Sequence, residues 1–87
     1  MNAGNQPFLG IMIRMYFDEH DPPHFHAVYA GRELQVGIDP IVPLQGKLPN
    51  RAESMVIERA ALHQQELMRN WDRLRNAQLV GKVDPLE

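Results

Sequence analysis

The chain has 87 residues, 44% of them hydrophobic and 23% charged, and no cysteine. That length suits one compact domain burying about 60–65% of its unfolded surface, and the missing cysteine excludes disulfides, thiolate zinc sites and iron–sulfur clusters. Nine basic against eleven acidic residues give a formal charge of −2, a poor basis for generic nucleic-acid binding, although most of the basic residues are Arg, which suits specific anion contacts.

Residues 1–8 read as a loose leader. From residue 9 to 17, Ile11, Ile13, Met15 and Phe17 alternate with Met12, Arg14 and Tyr16, the pattern of a half-buried strand. Residues 18–23 form a loop, since two prolines and three acids cannot continue a central strand. Residues 24–29 alternate again, and Ala30-Gly31 is a tight turn. Residues 32–39 return with Leu34, Val36 and Ile38 on one face. Residues 41–48 add a short edge strand blunted by Pro43 and Gly46.

After Pro49 the period changes. Asn50-Arg51-Ala52-Glu53 has the form of a capping box, with Pro49 at the first helical position as the competing start. Ala52, Val56, Ala60, His63, Leu67, Trp71 and Leu74 recur in steps of three and four, an amphipathic helical stripe. Met55, Ile57, Leu62 and Met68 widen its apolar face. Residues 49–78 are therefore helical, with Gly81 as the latest stop and 79–87 as an extended tail. One straight helix over residues 50–77 would be roughly 42 Å long, against a diameter of about 30 Å for a globule of this size. The expected remedy is a homodimer through this helix, with a break around residues 64–70 as the alternative. The expected fold is a single α+β domain: a three- to four-stranded antiparallel meander over residues 9–48, with a long C-terminal helix or helix pair on one face.

The hairpin register places the candidate site. A two-residue turn at Ala30-Gly31 pairs Tyr29 with Arg32, Ala27 with Leu34 and Phe25 with Val36, and opposed residues share a face. Pairing Tyr16 with His24 and Arg14 with His26 keeps Ile13, Met15 and Phe17 on the core side. The outer face then gathers Arg14, Tyr16, His24, His26, Glu33 and Gln35, and the helix covers the other side.

Three chemistries fit that face. His24 and His26, at i and i+2 on a strand, point the same way within about 7 Å. As acid and base they would serve a metal-independent ribonuclease or phosphoryl-transfer enzyme, with Arg14 holding the anion and Tyr16 positioning it. As ligands they would hold zinc, nickel or iron, with His20 or an aspartate of the loop as the third donor. As ordinary cross-strand partners they would belong to a solvent-facing binding surface with Gln35 and Glu33. His63 lies in the apolar stripe and is expected under the helix, buried with a polar partner. Arg69, Arg73, Arg75 and Lys82 form a basic helix end able to meet an acidic partner or RNA. No apolar run reaches the roughly 18–20 residues of a membrane span, and no secretion signal is read, so the expected location is the cytoplasm.

The run from Ile13 through Asp18-Glu19-His20-Asp21-Pro22-Pro23-His24-Phe25-His26-Ala27, with Tyr29 and Gly31, resembles the signature of the domain-of-unknown-function family numbered 4160. Gly46-Lys47-Leu48-Pro49, Leu62-His63, Glu66-Leu67, Asn70-Trp71 and Asp84-Pro85-Leu86 fit the same pattern, which spans residues 8–86. Arg59 departs from it, standing where many relatives carry a bulkier aromatic. The resemblance implies a small stand-alone prokaryotic protein without an established activity, often encoded beside another small protein and linked in proposal to toxin–antitoxin modules. On that basis the leading expectation is a small interaction protein that binds a cognate protein partner. The resemblance supplies no catalytic residue.

Overall fold

A computed structural model describes residues 10–16 and 19–81, with side chains described through residue 77. Four strands, β1 (Met12–Arg14), β2 (His24–Tyr29), β3 (Arg32–Gly37) and β4 (Pro43–Gly46), form one antiparallel sheet in sequence order. Two helices follow, α1 (Asn50–Leu62) and α2 (Gln64–Gly81). This is the α+β meander with a C-terminal helix pair.

The β2–β3 hairpin has the expected register, from Tyr29 opposite Arg32 to His24 opposite Gly37. Ala30 and Gly31 both take positive φ, 51° and 76°, as a two-residue turn matching the strand twist demands. Alternation then sends Phe25, Ala27, Leu34 and Val36 to one face, where they are buried with Ile11, Ile38, Leu48, Ala52, Val56, Ala60 and Trp71. At the other end of the sheet β4 approaches β3 so closely that only glycine fits at position 46. Its φ is +91°, and a Cβ there would lie 2.2 Å from the carbonyl oxygen of Glu33. Lys47 N–H donates to that same carbonyl at 3.1 Å.

Several local expectations need correction. The first strand is shorter than residues 9–17: its ladder pairs Met12, Ile13 and Arg14 with Val28, Ala27 and His26 and stops there. Tyr16 therefore has no ladder pairing with His24; the chain leaves the sheet after Arg14. Residues 1–9, Phe17 and Asp18 lie outside the described residues. The capping box is not formed. Pro49 is the N-cap, Asn50 is the first helical residue, and no side chain caps the end. Glu53 instead reaches back to the Leu48 N–H at 3.5 Å and to Lys47 at 3.4 Å.

The helical region breaks at His63, one residue before the range expected for a break. His63 has φ −118° and ψ 23°, and its N–H is shared between the Arg59 and Ala60 carbonyls, a three-centre bond of the kind common at helix ends. The break moves the inward stripe from His63 to Gln64, whose side-chain amide donates to the Ile38 carbonyl at 2.7 Å. His63 turns out to solvent, its side chain 53% exposed and 3.4 Å from Glu66, so the expected burial under the helix is overturned. Leu62 is exposed as well. Two helices of 13 and 18 residues therefore stand in place of one continuous helix. Helix α2 runs to Gly81, past the expected end at 78, and residues 82–87, including Lys82, lie outside the described residues.

Candidate metal centre

The outer face is not the open surface that alternation suggests. His24 is 7% and His26 5% exposed. The loop between β1 and β2 folds back over them, and Glu19 from that loop brings one carboxylate oxygen against both rings. Its Oε1 lies 2.7 Å from His24 Nε2 and 2.5 Å from His26 Nε2. The three donor atoms all fall within 4.8 Å of one another. Tyr16 sets its ring edge-on to His26, with centroids 4.8 Å apart. Trp71 of α2 reaches His24, with centroids 5.3 Å apart, while remaining part of the core. The helix pair thus reaches the histidine side and does not lie wholly on the opposite face.

The far nitrogens of the rings are equally well placed. His24 Nδ1 donates to the Pro22 carbonyl at 2.7 Å, and His26 Nδ1 donates to Glu33 Oε2 at 2.5 Å. Neither oxygen has a proton to offer, so each Nδ1 carries the hydrogen. A neutral ring protonated at Nδ1 presents a bare lone pair at Nε2. Both lone pairs would then face the same carboxylate oxygen, an arrangement that holds only if positive charge lies among them. A second proton on each ring supplies it, and so does one metal cation shared by all three. In keeping with that, the Glu19 carboxyl is held below its ordinary pKa, first by its hydrogen bond to His26 and also by His24 and the charge of both rings, against the upward push of burial.

Of the residues nominated from sequence, His24, His26, Tyr16 and Glu33 come together here. Glu33 meets the cluster through His26. Arg14 sits opposite His26, but its Nη2 rests on the Met12 sulfur at 3.2 Å. Gln35 is the other cross-strand neighbour of His26, half-buried between it and Gln45. His20 is exposed and lies outside the group of possible donors, in which Glu19 joins His24 and His26. Arg75 pairs with Asp21 at 2.7 Å and ties α2 to the same loop. Arg73 is exposed, and Arg69 lines a shallow groove with Asp39, Gln64, Gln65 and Met68. Glu19 was the residue missed. Its spacing gave no signal, because a loop residue has no face to be read from periodicity.

A small meander sheet holding a His–His–carboxylate cluster under its first loop thus defines the class. The chain belongs to the family described as Domain of unknown function (DUF4160), whose model matches residues 10–72. That stretch contains the whole cluster together with Trp71. No curated protein and no solved structure matches the chain. No helix among the described residues is long and apolar enough to cross a membrane.

Proposed function

We propose that this chain is a small metal-binding protein in which His24, His26 and Glu19 hold one divalent transition-metal ion. The observation that carries this reading is the pairing of three convergent donor atoms with two pinned Nδ1 atoms. Metal-bound histidines commonly donate their other N–H to a carbonyl or carboxylate, which fixes the tautomer and aims Nε2 at the ion. Pro22 and Glu33 provide both kinds of acceptor. Two imidazoles and a carboxylate suit zinc, iron or nickel and not the harder calcium or magnesium. Donors around a tetrahedral zinc stand about 3.3 Å apart at ordinary bond lengths. On that figure Glu19, its side chain 28% exposed, would withdraw by less than about 1 Å, and the two ring nitrogens, within 4.8 Å of each other, would close toward the ion.

Elemental analysis of protein purified without a histidine tag, followed by zinc titration, tests the reading. The expected result is about one ion per chain on the three-donor count, lost in His24→Ala, His26→Ala and Glu19→Ala. Metal far below one per chain, unchanged by added zinc, would sink it.

A metal-free ribonuclease or phosphoryl-transfer site is less well supported. A carboxylate stands where a phosphate would enter, against both ring nitrogens that would have to act as acid and base. Binding of a cognate protein, in the manner of a toxin–antitoxin pair, has separate support in the family membership and in the exposed Met12 and Tyr16 beside the cluster. Co-purification with the neighbouring gene product tests it, and no binding at micromolar concentration would count heavily against it. A location in the cytoplasm fits this reading.

A further inference from the structure

Resting on the metal reading, we propose that the centre is an open one, with a coordination position that takes a small anion such as a carboxylate and with Arg14 as the anion's second contact. Structural zinc sites are closed by four protein donors, whereas sites that exchange ligands keep three and leave a position free. Three donors converge among the described residues. Their coverage is one-sided: the two histidine side chains are nearly buried, while the Glu19 side chain between them is partly exposed. Solvent therefore meets the centre from the carboxylate side.

The charge count points the same way. A divalent ion is neutralised by Glu19 and by Glu33, which is hydrogen-bonded to its ligand His26. Arg14, directly across the ladder from His26 and on the same face, then adds a positive charge that no carboxylate of the described residues pairs with. Among the described residues its guanidinium hydrogen-bonds the Met12 thioether, a weak and neutral acceptor, and no carboxylate lies within ion-pair distance of it. An anion on the metal offers that guanidinium a charged partner. Tyr16, edge-on to His26 and 40% exposed, forms a side wall of the entrance.

Cobalt(II) loading of the full chain, followed by visible absorption, tests this with azide and acetate as probes. The cobalt bands are expected to change with either anion and to saturate. Arg14→Ala should weaken the anion response about tenfold, the scale of one charge-assisted hydrogen bond, with cobalt affinity within about twofold. Arg14→Lys should recover part of the loss. Cobalt bands that ignore both anions would overturn the open site while leaving the metal reading standing. Absence of any protein-bound cobalt spectrum would overturn both. An anion response identical in Arg14→Ala and the unaltered chain would remove Arg14 from the site.

Discussion

His26 and Glu33 lie diagonally across the β2–β3 ladder, and the Glu33 carboxylate accepts the His26 Nδ1–H at 2.5 Å. Glu33 is also the residue whose carbonyl Gly46 approaches, so the β3–β4 contact and the partner of His26 meet in one residue. A half-exposed carboxylate on the sheet surface is thereby placed to orient that ring.

Removing that group should loosen the metal and leave the fold intact. Glu33→Ala is expected to lower zinc affinity by about 10–100-fold, the usual cost of losing a histidine's outer partner. Glu33→Gln, whose amide oxygen still accepts from Nδ1, should lose less. Zinc titration against a competing chelator measures both. Equal affinity in all three proteins would show that Glu33 does not orient His26.

Trp71 is the chain's single tryptophan, and its ring lies beside His24. Its fluorescence should therefore report occupancy of the centre directly. Nickel or cobalt is expected to quench it with the same midpoint as metal binding, and His26→Ala should abolish the quenching. Quenching that persists in that variant would place the ion elsewhere. Trp71→Ala would cost about 3–5 kcal/mol through the lost core packing, so the fluorescence readout is the safer probe.

Gly46→Ala should be among the most destabilising single-methyl changes in the sheet. The added Cβ meets backbone, not a flexible side-chain tip, and the φ of +91° is unfavourable for any other residue. A loss of at least ~2 kcal/mol is expected from strain and strand separation together. Urea denaturation measures it. A variant as stable as the parent would mean that β4 can retreat from Glu33 without cost.

His63→Leu should do little. The ring is exposed at the break between the helices, and its contact with Glu66 is a surface pair. A stability change within about 0.5 kcal/mol is expected, as for other surface positions, with metal affinity unaltered. A loss of metal binding in the folded variant would require His63 to approach the cluster, contrary to its position.

Much of this fold was legible as periodicity. Period-two alternation placed Phe25, Ala27, Leu34 and Val36 on one face and His24 and His26 on the other, and the Ala30-Gly31 turn set the register between them. The helical stripe named Ala52, Val56, Ala60 and Trp71 as core. The same logic failed at His63, because periodicity assumes an unbroken helix: the break there, with Gln64 reaching Ile38 across 26 residues, is a tertiary contact.

The sequence by itself thus determined which side chains share a face, since strand and helix geometry are local and repeat at fixed intervals. It could not determine how a loop closes over that face. Periodicity ended at Phe17, so nothing local distinguished Glu19 from its neighbours Asp18, His20 and Asp21. Only the tertiary structure chose Glu19: the path of the loop depends on where β1 leaves the sheet, on Trp71 arriving beside His24, and on Arg75 holding Asp21 from a helix 54 residues away. Contacts between elements far apart in sequence thus bring the Glu19 carboxylate against a pair of strand histidines.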